Sequence, residues 1–295
     1  MESRQLSGVD RGPLERDPAY QALCTLVWSK LGIDLAHYKQ SCVERRLAVR
    51  LRARGCATLE EYLGSISNDE KELRQFLSTI TATVTEFFRN LETFERLREV
   101  CLPRMFVKGC VEGSNRSTRE RLTDPVRIWS VGCASGEESY SIAILVREFL
   151  SAHPDVRPRI TEIFATDMDA SMIARAKEGL YDERRITKVS PERRKMWFDQ
   201  EAKGWRPSRR IRAMVSYEVA NAFRHSPEVK QDLIVCRNML IYIARDQQEK
   251  IFERFHSALN KGGFLLLGKT ELLTSSARRM FKTVCAGERI YQACG

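Results

Sequence analysis

The chain has 295 residues, 43% of them hydrophobic and 30% charged, a length that suits one large domain or two modest ones. No apolar run approaches the roughly 18 residues that a membrane-spanning helix requires, which predicts a soluble protein without direct membrane insertion. The net charge of +10, from 49 lysines and arginines against 39 aspartates and glutamates, favours an anionic partner such as nucleic acid, acidic lipid or an acidic protein.

The nine cysteines are scattered and form no C-x-x-C pair, which argues against a disulfide framework. None of the four histidines stands at metal-ligand spacing from a cysteine, so we predict no metal site. Residues 1–16 are polar and lack the apolar stretch of a signal peptide. We therefore expect a disordered tail and a cytoplasmic location.

From Tyr20 to Leu102 the chain has a helical pattern. The apolar positions of the first helix fall at i, i+3, i+7 and i+11: Tyr20, Leu23, Val27 and Leu31. Gly32 follows where a C-cap belongs, and Thr58 stands three residues before Glu61, as in a capping box that opens another helix. No strand is predicted in this half.

The segment CVERRLAVRLRARG (42–55) carries part of the positive charge. If the apolar residues at 43, 47 and 51 line a buried face, Arg45 and Arg52 point away from it and Arg46 lies on its flank. This cationic face is either simply solvated or a binding surface for an acidic partner.

The chain changes character after residues 107–125, which are rich in glycine, serine and charge. Short apolar runs then alternate with helical segments: VRIWSV (126–131), EIFAT (162–166), MVSYEV (214–219), DLIVC (232–236) and FLLLG (264–268). This alternation predicts βαβ units around a parallel sheet, with ligand sites at the carboxyl ends of the strands. GERIYQA (287–293) is a candidate antiparallel edge strand.

The first predicted strand leads into the glycine-rich turn GCASGEE (132–138), where Gly132 allows a ligand to approach the backbone closely. A dinucleotide is disfavoured because the third glycine of G-x-G-x-x-G is missing and because Glu137 and Glu138 would repel a phosphate. Two carboxylates suit a ligand with a sulfonium and an ammonium group, such as S-adenosylmethionine. The alternative is that they are ordinary acidic residues at a helix N-terminus.

Polar residues also follow two other predicted strands. The second strand ends in Asp167-Met168-Asp169, where an acidic residue can accept hydrogen bonds from both ribose hydroxyls. We favour Asp167 for this role, because Asp169 can instead cap the next helix. The fourth strand ends in Arg237-Asn238, and Asn238 either contacts the ligand or caps its loop. Polar groups at three strand ends favour one shared site.

Five segments, in order, resemble the chemotaxis-receptor glutamate methyltransferases, the CheR family: ITATVTEFFRN (80–90), IWSVGCASGEESYSIA (128–143), FATDMDASMIARAKEGLY (164–181), VCRNMLIYI (235–243) and LNKGGFLLLGKTELL (259–273). The resemblance implies the α/β fold class, with a Rossmann-like S-adenosylmethionine-dependent methyltransferase domain, a small antiparallel β subdomain and a preceding all-α N-terminal domain. The expected boundaries are a tail at 1–16, the helical domain at 17–88, a connecting helix and linker at 89–124, the methyltransferase domain at 125–295 and the β subdomain at about 182–217.

The implied reaction moves a methyl group from S-adenosylmethionine to glutamate side chains on the cytoplasmic coiled coils of chemoreceptors, leaving S-adenosylhomocysteine. The family's cofactor-binding positions fall on these residues: Thr83, Thr85, Arg89, Glu138, Asp167 or Asp169, Asn221 with Ala222, and Asn238 with Met239. The resemblance assigns positioning of the reacting groups to Arg89 and Tyr242, and receptor contact to Arg45, Arg46 and Arg52. At Thr83 the family usually has asparagine, so a single hydroxyl replaces an amide.

Two other functions stay open, together with one question about the receptor. A nucleic-acid methyltransferase would share the α/β core, but amino-directed enzymes carry an Asp/Asn-Pro-Pro-aromatic motif where this chain has CRNMLIY, so no nucleic-acid partner is predicted. A cofactor-binding adaptor without transfer activity is the other alternative. In some family members the β subdomain binds a peptide at the receptor carboxyl terminus. The β-subdomain segment of this chain is shorter than in those members and contains Pro207, which has no backbone N–H, so we predict that this protein does not bind the peptide. We expect a monomer.

Overall fold

The computed structural model describes residues 17–80, 85–108, 124–156 and 158–295. The chain divides into two compact units, one of Met1–Ala82 with Tyr242–Ala244 and one of Thr83–Ile241 with Arg245–Gly295. The first unit thus ends before residue 88, the expected end of the helical domain. The reason is that Phe87 and Phe88 belong to the hydrophobic core of the second unit. No helix in the described part of the chain is both long enough and apolar enough to cross a membrane.

The described part of the first unit contains the α-helices α1 (Pro18–Leu31), α2 (Gln40–Arg54), α3 (Leu59–Ile66) and α4 (Glu70–Ile80), with a 3-10 turn at Leu35–His37 between α1 and α2. The predicted caps are confirmed: Gly32 adopts φ +65° and its N–H donates to the Trp28 carbonyl, and the Thr58 hydroxyl accepts a hydrogen bond from the Glu61 N–H. The Glu61 carboxylate accepts from the Ala57 N–H rather than from the cap residue itself.

The core of the first unit contains a buried ion pair that the sequence pattern does not indicate. The Arg50 guanidinium donates two hydrogen bonds to the Glu72 carboxylate, at 2.8 and 2.7 Å. The Tyr62 hydroxyl donates a third, also at 2.8 Å. Glu72 lies on the face of α4 that carries Leu73 and Phe76, and it is as buried as these apolar neighbours. This network joins α2, α3 and α4.

The second unit begins with α5 (Leu91–Arg96), which continues into π-helical turns at Leu97–Cys101 and Arg104–Lys108. Its other helices are α6 (Glu137–Ala152), α7 (Ala170–Glu178), α8 (Pro191–Trp197), α9 (Arg209–Arg212) and α10 (Arg245–Ala258). Its strands are β1 (Val126–Val131), β2 (Thr161–Asp167), β3 (Phe198–Glu201), β4 (Gly204–Pro207), β5 (Val215–Val219), β6 (Gln231–Cys236), β7 (Leu259–Leu267), β8 (Phe281–Cys285) and β9 (Ile290–Ala293).

Seven of these strands form one sheet in the order β5-β2-β1-β6-β7-β9-β8. The five predicted parallel strands are confirmed, since β1 pairs parallel with β2 and β6, β2 with β5, and β6 with β7. The chain order reverses between β1 and β6. In open α/β sheets such a reversal leaves a crevice beyond the carboxyl ends of the strands. The fold therefore places the turn after β1 and the loop after β6 beside this crevice.

The prediction of an edge strand at 287–293 is wrong in its position. The strand β9 is antiparallel, as expected, but it lies between β7 and β8, and β8 forms the edge. FKTVC was not predicted as a strand because only Phe281 in it is buried, so its sequence shows little of the apolar character of the central strands. A separate two-stranded sheet, β3 with β4, lies within the expected 182–217 subdomain, whose last residues belong to β5.

Candidate active site

The turn after β1 is held against the end of β2. The N–H groups of Gly132 and Cys133 both donate to the Thr166 carbonyl, at 2.8 and 3.0 Å. Gly136 has φ +93°, and a Cβ added there would lie 2.7 Å from the Tyr217 hydroxyl. Only glycine satisfies both the backbone conformation and this close packing. The turn is therefore a rigid structure whose backbone lies at the carboxyl ends of the central strands.

The two glutamates that open α6 have different environments. Glu137 is fully buried, where it accepts hydrogen bonds from the Ser135 hydroxyl and pairs with Arg185. The Glu138 side chain is 14% exposed; it accepts from the Ser130 hydroxyl at 3.1 Å and pairs with Arg237 at 3.3 Å. Burial raises the pKa of Glu138, and the Arg237 charge opposes this effect. Glu137 is therefore a structural residue, which corrects the prediction that both carboxylates face a ligand.

Asp167 connects the ends of three strands. Its carboxylate accepts the N–H of Ala134 in the turn and the N–H of Asp169, both at 2.9 Å. Its carbonyl accepts the Ala220 N–H just after β5, at 3.0 Å. The residue is 6% exposed, and burial raises its pKa while the backbone hydrogen bonds oppose the shift. Asp167 thus lies at the end of β2, where the strand pattern placed the acid favoured for ribose binding, and it also orders the turn.

Asp169 caps α7, as the alternative interpretation of this residue held. Its carboxylate accepts the Ser171 N–H at 2.8 Å and the Ser171 hydroxyl at 2.6 Å. Beyond β5, the Asn221 amide oxygen accepts the Phe223 N–H at 2.9 Å and shapes the segment that contains Ala222. The hydrogen bond from Ala220 to Asp167 brings this segment beside the end of β2.

Arg237, at the end of β6, links the turn to the loop that precedes α5. Its side chain is 2% exposed and pairs with Glu138. The same guanidinium donates to the Arg89 carbonyl at 2.7 Å and to the Asn90 side-chain oxygen at 3.0 Å, and it lies over the Phe94 ring. These contacts offset much of the cost of burying the charge, although the buried Nε of Arg237 has no hydrogen-bond partner. The sequence pattern placed Arg237 at this edge of the sheet without revealing these contacts.

Asn238 and Met239 lie in the loop after β6, next to the glycine-rich turn. Asn238 has φ +60°, and its N–H donates to the Glu271 carboxylate at 2.9 Å. A Cβ added at Gly132 would lie 3.4 Å from the Met239 sulfur, so this thioether packs directly on the turn. The structure therefore brings Asn238 and Met239 together with Gly132. Glu271 is a buried residue that the sequence analysis missed, because nothing local distinguishes it from a surface glutamate.

The loop before α5 is anchored in the core. Phe87 and Phe88 are both buried and belong to the core of the second unit. The Phe88 N–H donates to the Ser141 hydroxyl on α6 at 2.9 Å. Arg89 is partly exposed, and its charge acts to lower the pKa of Glu138. Thr85 is also partly exposed, whereas Thr83 lies outside the described residues.

The remaining predicted site residues belong to the first unit. The Tyr242 carbonyl accepts the Lys39 N–H at 2.9 Å, within a short pairing of 242–244 with residues 37–39. On α2, Arg45 and Arg52 are exposed and Arg46 is partly buried, which confirms the predicted orientation of this helix. The structure thus groups the predicted cofactor residues of the second unit and places Tyr242 and the α2 arginines in the first.

The sheet order, the glycine-rich turn at the reversal point and the acidic residues after β1 and β2 define an S-adenosylmethionine-dependent methyltransferase. An ordinary dinucleotide site would offer the pyrophosphate a helix N-terminus without carboxylates. The chain belongs to the CheR methyltransferase family. Residues 83–290 match the family model of the CheR methyltransferase SAM binding domain, and residues 18–81 match that of the CheR methyltransferase all-alpha domain.

Similar proteins carry corresponding names. A probable chemotaxis protein methyltransferase of Rhizobium etli is 34% identical over 266 residues, covering 88% of this chain and 94% of the relative. A chemotaxis protein methyltransferase of Listeria monocytogenes is 30% identical, covering 90% and 93%. Among solved structures, the DhpI-SAH complex is 13% identical, with a TM-score of 0.37 and coverage of 87% and 80%. The family assignment depends on the sequence matches.

Proposed function

We propose that this protein transfers a methyl group from S-adenosylmethionine to glutamate side chains of chemoreceptors and so forms glutamate methyl esters. The proposal depends on one observation above all: both CheR family models match in sequence over nearly the whole chain, and the relatives over most of it are named chemotaxis protein methyltransferases. The partly exposed carboxylate of Glu138, in the first turn of the helix that follows the glycine-rich turn, provides chemistry that fits this cofactor.

The residues around the turn suit the parts of the cofactor. Glu138 offers a carboxylate to an ammonium group, and Asp167 or Asp169 offers acceptors to ribose hydroxyls. The segments Asn221–Ala222 and Asn238–Met239 follow β5 and β6 at the carboxyl edge of the sheet, and Thr85 and Arg89 contribute from the loop before α5. The resemblance adds Thr83, which lies outside the described residues. When bound, the cofactor supplies an activated methyl group on a sulfonium.

The chemistry requires alignment rather than proton transfer. A glutamate side chain has a reference pKa of about 4.3, so the nucleophile is already ionised at neutral pH and no general base is needed. Holding two reacting groups in line contributes about 7 to 11 kcal/mol in well-oriented systems. We assign this positioning to the Arg89 guanidinium, which can hold a carboxylate through two hydrogen bonds, and to the Tyr242 hydroxyl.

The cationic face of α2 supports recognition of an acidic helix. Val43 and Leu47 form the buried face of α2. Arg45 and Arg52 are exposed and point away from this face, and Arg46 lies at its border. Receptor methylation helices rich in glutamate would be attracted to this face, which would steer association. The coiled-coil region of the receptor is the partner we propose.

Calorimetric titration with S-adenosylhomocysteine, followed by methyl transfer to receptor signalling fragments, tests the proposal. We expect saturable binding of S-adenosylhomocysteine. With S-adenosylmethionine labelled in its methyl group, we expect label on the receptor fragment that base removes, because base hydrolyses a methyl ester. A receptor fragment with glutamine at every methylation site is the control and should stay unlabelled. Binding without transfer would indicate an adaptor, and label on nucleic acid would indicate a different methyltransferase.

A further inference from the structure

The loop after β6 is held by a buried carboxylate from the segment that follows the neighbouring parallel strand β7. Glu271 is 3% exposed and follows the turn that begins at Gly268. One of its oxygens accepts the N–H of Gly268 at 2.7 Å and the N–H of Asn238 at 2.9 Å. The other accepts the Ile241 N–H at 3.3 Å, and the Leu240 N–H also contributes. The partners are backbone amides, so the carboxylate acts as the organising centre of this loop.

The loop has a backbone that needs such a centre. Asn238 has φ +60°, a left-handed conformation that is uncommon outside glycine and that asparagine tolerates better than most residues, and the hydrogen bond from its N–H to Glu271 holds it there. Gly268 is also required: a Cβ there would lie 2.7 Å from the Glu271 carboxylate and 3.0 Å from the Asn238 nitrogen. The turn after β7 and the loop after β6 therefore approach each other more closely than a side chain on residue 268 would allow.

We propose that Glu271 is a positioning residue for the cofactor site. This proposal rests on the cofactor-binding roles proposed above for Asn238 and Met239. By binding the amides of Asn238 and Ile241 it fixes both ends of this short loop, and so sets the direction of the Asn238 side chain and holds Met239 on Gly132. It does not itself touch the reacting groups. Loss of its carboxylate should release the loop and weaken cofactor binding, whatever the methyl acceptor is.

Two variants of the full chain test this role. Glu271→Gln replaces one acceptor oxygen by an N–H donor that faces backbone donors, and Gly268→Ala displaces the carboxylate while leaving it charged. We expect both to bind S-adenosylhomocysteine at least tenfold more weakly in calorimetric titration. If Glu271→Gln does not fold, Gly268→Ala still tests the proposal. The φ of residue 268 is not positive, so alanine can adopt the backbone conformation that glycine has there.

Asp232→Asn is the matched control. Asp232 is also a buried carboxylate of this sheet, but it lies at the opposite end of β6, where it accepts hydrogen bonds from the Arg127 N–H and the Asn260 amide. Its variant should lower the melting temperature to a similar extent and keep the wild-type affinity for S-adenosylhomocysteine. Wild-type affinity in Glu271→Gln or Gly268→Ala, or an equal loss in Asp232→Asn, would overturn the proposal. A chain that binds normally but methylates no receptor would contradict only the proposed function.

Discussion

The carboxylate of Asp167 illustrates how one residue serves structure and chemistry together. It binds two backbone amides, one of them in the glycine-rich turn, so it orders the turn before any ligand arrives. A carboxylate has about four acceptor positions, so ribose hydroxyls can be added to these two bonds. Asp169, by contrast, uses its carboxylate to cap α7.

Replacing Asp167 should therefore affect binding more than replacing Asp169. We expect Asp167→Ala to weaken binding of S-adenosylhomocysteine by about 1 to 3 kcal/mol, since it loses ribose contacts and leaves the Ala134 N–H without its acceptor. Asp169→Ala should mainly lower stability by about 1 kcal/mol through loss of the helix cap. Calorimetry and thermal unfolding on both variants separate these effects. Unchanged affinity in both would rule out ribose binding by either residue.

Arg89 gives a second prediction at this scale. If its guanidinium positions the substrate carboxylate, Arg89→Ala should reduce kcat strongly and leave the melting temperature nearly unchanged, because the side chain is partly exposed. Arg89→Lys should not restore the rate, since lysine cannot form two parallel hydrogen bonds to a carboxylate. Steady-state kinetics with a receptor fragment provide the measurement. Near-normal methylation by the alanine variant would contradict the assignment.

Among the elements, α2 carries two kinds of arginine. Arg50 faces α4 and forms the buried pair with Glu72, whereas Arg45 and Arg52 face away. Burial raises the pKa of Glu72, but the hydrogen bonds from Arg50 and Tyr62 outweigh it, so the pKa lies below its ordinary value. One face of the helix therefore contributes to stability, and the other is available to a partner.

The buried pair should dominate the stability of the helical unit. We expect Arg50→Ala to cost about 3 to 5 kcal/mol, because it leaves the Glu72 charge buried without its partner. Arg45→Ala is the control and should change stability by less than about 0.5 kcal/mol. Because the pKa of Glu72 is lowered, its contribution is complete above the unfolded pKa of about 4.3 and is lost as the pH falls through the folded pKa. Chemical denaturation across this pH range measures both effects.

The exposed arginines should act on the receptor alone. Replacing Arg45, Arg46 and Arg52 with alanine should raise the receptor KM and leave affinity for S-adenosylhomocysteine unchanged. Wild-type activity should fall with salt, since exposed charges are screened over about 8 Å at physiological ionic strength. A variant that removes three exposed cations of the second unit, at 184, 195 and 203, changes the net charge equally and is the control. An unaltered KM in the α2 variant would show that this face is only solvated.

For the whole molecule, the question is which part of the chain captures the receptor. The β3–β4 hairpin offers little to an added peptide strand: Pro207 has no N–H, and its carbonyl accepts the Arg212 Nε at 3.0 Å. Arg206 is paired with Glu201 across the same hairpin. The helical unit, with its exposed arginines, is the alternative route to the substrate.

We therefore expect no micromolar binding of a receptor carboxyl-terminal pentapeptide. Methylation of a receptor that lacks this peptide should equal that of the full-length receptor, because capture does not depend on it. Calorimetric titration and the paired methylation assay provide the measurements. Arg209 and Arg210 are both exposed, and micromolar binding that disappears on their replacement with alanine would contradict the prediction.

Local features of this protein were predictable from its sequence. The parallel strands, the cap at Gly32 and the turn at Gly132 depend on burial patterns and backbone conformations that neighbouring residues impose. The resemblance to the CheR family added cofactor positions that periodicity could not supply. The short strand β8 escaped prediction because only one of its five residues is buried, and its pairing with β9 is what makes it a strand.

The sequence by itself determined the position of the turn and the acidic ends of two strands, because each of these is encoded within about ten consecutive residues. It also determined the α/β class, because the alternation of apolar runs with helical segments is visible along residues 126–268 without knowledge of the contacts. Only the tertiary structure distinguished Glu137 from Glu138, since burial against Arg185 and exposure beside Arg237 depend on residues far along the chain. Glu271 became recognisable for the same reason. Its role depends on backbone amides of a loop about thirty residues earlier, which come within reach only when β6 and β7 pair.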